Sequence, residues 1–385
     1  MRLSAVLPKL IGVQLLVLHS AFFIPHSAFG QGALTPPGAP APLFKTLDQV
    51  EPRTPISSLP ITLSNSGSYY LTSNLTGVAG TNGITITADD VTLDLSGFAL
   101  VGVVGSTNGI LASGNRTNLL IRNGSIRNWG FHGLDSLFTR GGRFEDLRIS
   151  SNGDDGMRVE NGGVVTGCNF VSNHVSGLRA FNSVVKDCAA HRNGFDGITA
   201  SASVIGGCFA DFNAGSGISA DDTLVIGCAA VGNLGGGISA GSHSAVRDCS
   251  VRQNTGGGIK LFSQATVANC MVSDHFATNG ISAINPSIFD GSAILNNTCE
   301  GNDKGIVLGS NASGIRVEGN TIGVRIDIAS GSFGLLVQGA TNLIIRNSAH
   351  GYPTNYSIVS GNVVGPTNTA ATILTNNNPN ANFSF

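Results

Sequence analysis

Six of the seven cysteines fall at a nearly constant interval. Cys168, Cys188, Cys208, Cys228, Cys249 and Cys270 are 20, 20, 20, 21 and 21 residues apart. Disulfide frameworks are not spaced this way. A fixed period near 20 marks a repeat chain in which each repeat is one turn of a stack. No other feature constrains the fold as strongly.

The repeat has further columns. Three residues before each cysteine stand Val165, Val185, Ile205, Val225, Val246 and Val267. Two after it stand Phe170, Ala190, Ala210, Ala230, Val251 and Val272. Five after it come Asn173, Asn193, Asn213, Asn233 and Asn254, until His275 interrupts. A Gly-Ile pair follows, with Ile198, Ile218, Ile238 and Ile259 in one column and Ala200, Ala220 and Ala240 two further on. Alternation of period two means short strands, and the Gly, Asn, Asp and Ser between them mean turns.

One such coil cannot bury its own apolar side. Stacking pairs every strand with the coils above and below at about 4.8 Å, and the inward columns become files of like residues. The expected fold is therefore all-β: a single parallel β-helix of about 13 coils, roughly 60 Å long. The asparagine column fits a buried ladder of side-chain amides. Leu147 takes the cysteine place one coil earlier, Asn296 is expected to take it after Cys270, and Cys299 leaves the register. The six thiols are expected to be unpaired and to pack as small apolar residues, since side chains stacked in parallel point the same way and do not converge on a metal. Trp129 reads as core. Asn285 to Ser292 reads as an inserted loop.

The ends differ from the repeats. Arg2 and Lys9 precede and enter an apolar run, Leu10 to Ile24, and Ala28-Phe29-Gly30 offers small residues for cleavage. Residues 1–30 thus read as a signal peptide and place the protein outside the cell or in a periplasm, with no membrane span in the mature chain. Residues 31–60 read as a Pro-rich linker and the start of a cap, 61–365 as the solenoid, and 366–385 as a tail or cap. Without Arg2 and Lys9 the chain holds 19 basic and 23 acidic residues, a net charge of −4, which argues against nucleic acid as a partner. Charged residues make up only 11%, a composition that suits tight coils. Nothing in the sequence speaks to oligomeric state.

The repeats resemble the secreted bacterial right-handed parallel β-helix proteins, the broad group that includes pectate lyases, polygalacturonases and periplasmic copper-maturation β-helices. Pro55 to Thr76, Val91 to Phe98, Asn342 to Ala349 and the terminal N-P-N-A-N-F-S-F are similar to a narrower group of secreted β-helix proteins without an assigned activity. The resemblance implies right-handed coils. Against the polygalacturonase motifs, only Asp154-Asp155 matches. Phe131-His132-Gly133 lacks the first glycine of a Gly-His-Gly and precedes the Asp pair, and no Arg-x-Lys occurs.

Register brings one set of polar residues together. His132, Asp155, Ser176 and Asp196 share a column two before the Gly-Ile isoleucine, with Asp154 adjacent and Arg158 and Arg179 just beyond. Asp155 and Asp196 are two coils apart, roughly 9.6 Å, near the upper end of the carboxyl spacing of inverting glycosidases. His132, Asp154, Asp155 and Asp196 are the catalytic candidates, and Arg158 and Arg179 the substrate-binding ones. Phe209 and Phe212, on outward columns, are candidates for stacking on sugar rings. No cofactor is expected, although Ca²⁺ would suit a lyase. Asp and Gly are also turn formers, so the same residues can be purely architectural. Two functions follow: a secreted module that binds polysaccharide or another surface polymer without catalysis, or a polysaccharide lyase or hydrolase that uses the Asp/His/Arg patch.

Overall fold

Each repeat folds into three short strands separated by three corners. In one coil these are Val184–Lys186, Ala189–His191 and Ile198–Ser201. Each pairs in parallel with its equivalent one coil on, Val184 with Val204, Ala189 with Phe209 and Ile198 with Ile218. The computed structural model describes residues 51–275, 278–283, 291–324, 332–373 and 375–385. The expected signal peptide, most of the linker and most of the inserted loop lie outside them.

The result is three parallel sheets running the length of a solenoid. The third sheet has 14 strands, from Ile61–Leu63 to Thr354–Ile358, close to the 13 coils expected. The first and second sheets join where Leu120–Arg127 and Arg143–Ser150 run through the corner as unbroken eight-residue strands. The expected boundary at residue 61 falls inside the first coil, because Thr54–Ile56 already pairs with Gly67–Leu71. Pro52, Pro55 and Pro60 read as a linker, but an edge strand tolerates proline. At the other end, Asn382–Ser384 in the tail adds a parallel strand to Ser348–His350.

Alternate side chains point inward. Val185, Ala190, Ile198 and Ala200 are buried, as are their equivalents in neighbouring coils, and Trp129 joins the core with Nε1 donating to the Leu100 carbonyl at 3.3 Å. The glycine of the Gly-Ile pair follows from close stacking. A Cβ on Gly197 would lie 2.6 Å from the Gly217 carbonyl oxygen and 2.7 Å from the Asn213 amide nitrogen, closer than packed atoms allow.

All three corners follow one rule. A residue in the left-handed conformation turns the chain, and the next residue sends a small polar side chain inward. Asp187 (φ 53°) precedes Cys188, Phe212 (φ 51°) precedes Asn213, and Ala202 (φ 48°) precedes Ser203. At the second corner each asparagine Nδ2 donates to the next coil's Oδ1 and to a carbonyl of the preceding coil. For Asn213 these bonds measure 2.9 Å to Asn233 and 3.0 Å to Ala190. His275 continues this ladder instead of breaking it. It lies 3.3 Å from the Asn254 amide through Nε2 and 2.8 Å from Asn302 Oδ1 through Nδ1. At the third corner Ser203 and Thr223 do the same work with hydroxyls.

Six of the cysteines, Cys168 to Cys270, occupy the first corner. All seven are free and buried. They are not merely small apolar residues, however. Cys188 Sγ donates to the Lys186 carbonyl at 3.2 Å, the bond that Ser183 Oγ makes to Phe181 at 2.7 Å. The Cys188 thiol is pushed up to about 12 by the neighbouring Cys168 thiol and by burial. After Cys270 the slot passes to Asn297, not Asn296. The Cys270 N–H donates to Asn297 Oδ1 at 2.9 Å, while Asn296 is the left-handed residue of the turn (φ 54°). Cys299 lies in the neighbouring inward column, opposite Val272.

Candidate functional site

The strand that follows the second corner carries the outward file of the third sheet. Parallel register lines up Thr62, Thr85, Leu111, Asp135, Arg158, Arg179, Thr199, Ser219, Ser239 and Lys260 in successive coils. Just before it in each coil lies the column with Asn82, Asn108, His132, Asp155, Ser176, Asp196 and Ser216. Its backbone carbonyls accept from the glycines of adjacent coils, as Asp155 does from Gly133 and Ser176 from Gly156.

The structure gathers His132, Asp154, Asp155, Arg158 and Arg179 as the column argument expects. Arg158 Nη1 lies 2.9 Å from His132 Nε2, and Arg179 Nε lies 3.0 Å from Asp155 Oδ2. Asp135, one coil before Arg158 in the same file, was not anticipated; its carboxylate lies 3.8 Å from Arg158. Pairwise register could have found it, since any residue directly opposite Arg158 belongs to the same patch.

Burial separates the members. His132 and Asp155 are 3% and 2% exposed, whereas the Arg158 and Arg179 side chains are 27% and 38% exposed. Asp155 Oδ1 accepts the Ser176 backbone N–H at 3.1 Å, and Asp196 Oδ1 accepts that of Ser216 at 2.7 Å. Asn82 and Asn108 do the same for Asn108 and His132. The acidic residues therefore share a structural role with asparagines that hold no charge. Burial raises the pKa of both Asp155 and Asp196, against the backbone hydrogen bonds and Arg179, which lower it.

His132 is held in one tautomer. Guanidinium nitrogens only donate, so Nε2 accepts from Arg158 and the proton sits on Nδ1. Nδ1 is buried, lacks a hydrogen-bond partner and lies 3.9 Å from Asp154 Oδ1. Burial lowers the His132 pKa despite nearby Asp154 and Asp135. His132, Asp154 and Asp155 bring donor atoms within 4.8 Å of one another, close enough for a cation. The protonated Nδ1 faces that space, and Arg179 engages Asp155. These donors do not suit Ca²⁺, which takes oxygen ligands only.

Next to this patch an open groove of about 630 Å³ runs over the first coils. Thr62, Thr85 and Leu111 lie on its floor, and Asn82, Asn108 and Phe131 line its side. Phe131 is 53% exposed and meets the His132 ring edge-on at 5.1 Å. The other aromatic candidates lie elsewhere. Phe209 belongs to a second-sheet strand, Phe209–Asp211, and Phe212 turns the corner after it against His191. Both are exposed, but neither shares the sheet that bears the arginines.

A family described as "Right handed beta helix region" matches residues 77–245. Among solved structures, the A-module of the mannuronan C-5 epimerase AlgE4 from Azotobacter vinelandii is 16% identical, with a TM-score of 0.48, over 78% of this chain and 91% of that one. The tailspike of Escherichia coli bacteriophage HK620, solved with a hexasaccharide, is 13% identical, with a TM-score of 0.48, over 85% and 71%. The periplasmic alginate epimerase AlgG is 13% identical, with a TM-score of 0.40, over 71% and 76%. No curated protein matches the sequence. At these identities the likeness is one of fold. The parallel sheets, the 20-residue coil and the matched region show that residues 77–245 carry the right-handed β-helix repeat and that the chain folds as a parallel β-helix.

Proposed function

We propose that this protein is an exported β-helix that binds an anionic polysaccharide along its third sheet, in an adhesive or structural role and without cleaving it. One observation supports this above the rest. The carboxylates spaced for catalysis, Asp155 and Asp196, are buried and bound to backbone amides of the next coil, while the guanidinium groups of Arg158 and Arg179 reach the surface. The outward file continues as half-buried hydroxyl residues through Thr199, Ser219 and Ser239. Such a line suits a polymer better than a compact ligand. Guanidinium groups recognise carboxylates in a planar, bidentate manner.

The test is calorimetric titration of the full chain with acidic and neutral polysaccharides. Acidic polymers should bind, and R158Q/R179Q should weaken them by about tenfold or more, as the loss of two charged hydrogen bonds implies. Unchanged binding in that variant sinks the assignment.

A second reading has its own observation. Burial disfavours the charged form of His132, its Nδ1 lies 3.9 Å from Asp154 Oδ1, and its Nε2 lies 2.9 Å from Arg158 Nη1. If Arg158 turned to a ligand carboxylate, Nε2 would be free to take a proton, the first step of a lyase or hydrolase. Unsaturated or reducing ends released by the wild type and lost in His132→Ala would establish catalysis and overturn the non-catalytic proposal.

A further inference from the structure

The third sheet is not uniformly charged. Its outward file begins with uncharged Thr62, Thr85 and Leu111, passes through Asp135, Arg158 and Arg179, and returns to hydroxyls at Thr199, Ser219 and Ser239. Neighbouring positions lie about 4.8 Å apart. Among the described residues, no charged side chain lines the groove beside the uncharged start. It offers apolar surface from Leu111 and the half-exposed ring of Phe131, together with hydroxyls from Thr62 and Thr85. That pairing matches an uncharged sugar, which has C–H faces and hydroxyl edges. Phe131 also touches His132, so the groove is continuous with the charged patch.

We infer that the ligand is a mixed polysaccharide, with acidic units separated by neutral ones, whose neutral segment lies in the groove against Phe131 and whose carboxylate meets Arg158 and Arg179. This rests on the anionic-polysaccharide reading above. A polymer with a carboxylate on every unit would set charges along Thr62, Thr85 and Leu111, where the described lining residues offer no cation, and an unpaired anion placed there loses hydration without return.

The experiment compares the full chain by calorimetry with gellan (one uronate among neutral sugars in each repeat), polygalacturonate (an acid on every unit) and dextran (neutral). Gellan should bind about tenfold more tightly than polygalacturonate. Phe131→Ala should lower gellan affinity roughly fivefold, the scale of one aromatic contact, and lower polygalacturonate affinity less. Leu111→Ser is the second groove variant and should shift the ratio the same way. Both side chains reach the surface, and circular dichroism checks that each variant keeps its strands. Equal binding of the two acids, with a ratio that neither variant changes, overturns the mixed-polymer inference while the anionic reading stands. Acidic polymers that bind no better than dextran overturn the anionic reading itself.

Discussion

A thiol, an amide and a hydroxyl perform one task at the corners of this coil: each points inward and bonds the backbone of its own or a neighbouring coil. The bonds differ in strength, and so should the variants. Cys208→Ser keeps a donor that can reach the Gly206 carbonyl, now 3.4 Å from Sγ, and should change stability by less than about 1 kcal/mol. Asn213→Ala removes the acceptor of the Asn193 N–H and of one Asn193 amide hydrogen, and the amide donor to the Ala190 carbonyl and to Asn233 Oδ1, and should cost roughly 3–5 kcal/mol. Urea denaturation of both variants checks the contrast. His275 adds a pH dependence. Burial lowers its pKa from 6.5 to about 4, and its Nε2 faces an Asn254 amide donor, so the added proton would oppose a donor. A depressed pKa contributes stability above the unfolded value that is lost as pH falls through the folded one. Denaturation midpoints should therefore drop between about pH 6.5 and 4, by on the order of 3 kcal/mol. His275→Asn, the residue found in the adjoining rungs, should remove most of that drop. The column was visible in sequence, but the part His275 plays was not, because a ring that bonds through two nitrogens looks like an interruption when only residue names are compared.

At the scale of the strand and its corners, period and alternation were enough to place the inward files, because burial on one face leaves a strong pattern. The turns were harder. Asn296 and Asn297 are chemically identical, and only backbone conformation separates the turn residue from the inward one. Phe212, exposed as expected, occupies a position that any corner requires, filled by Arg192 and Gly232 in adjacent coils, so its left-handed backbone is a property of the coil. Register also explains why the arginine patch was legible and its neighbours were not. Column counting joined His132, Asp155 and Asp196, but their burial and their bonds to backbone amides emerge only in three dimensions. Because Phe209 and Phe212 lie off the arginine-bearing sheet, Phe209→Ala and Phe212→Ala should leave acidic-polysaccharide affinity within about twofold of the wild type, whereas R158Q/R179Q should not. Loss of binding in either aromatic variant would mean that the ligand wraps a second face.

For the molecule as a whole, stability should be nearly a sum over coils and the contacts between them. Deleting Ser203 to Asp222 removes one 20-residue coil and joins Ala202 to Thr223, so a corner residue again follows a left-handed one. That shortened protein should fold with unchanged strand content and a single cooperative transition. Deleting only half of the segment leaves one coil too short to close, so the coils on either side cannot stack in register, and should abolish soluble folding. Circular dichroism and size-exclusion chromatography separate the two outcomes.

The corner amides also give the rod a direction. Asn297, Asn320 and Asn347 each offer their N–H₂ toward the C-terminal end and their oxygen toward the N-terminal end. At an open end of such a file the outermost side chain would keep one unmatched amide hydrogen on one face and an unmatched oxygen on the other, so two rods would fit head to tail. Asn382 closes the series. Its oxygen accepts from Asn347, but its own amide turns back to the Ile344 and Gly365 carbonyls. In this file the last amide is therefore satisfied within the chain and passes no donor onward.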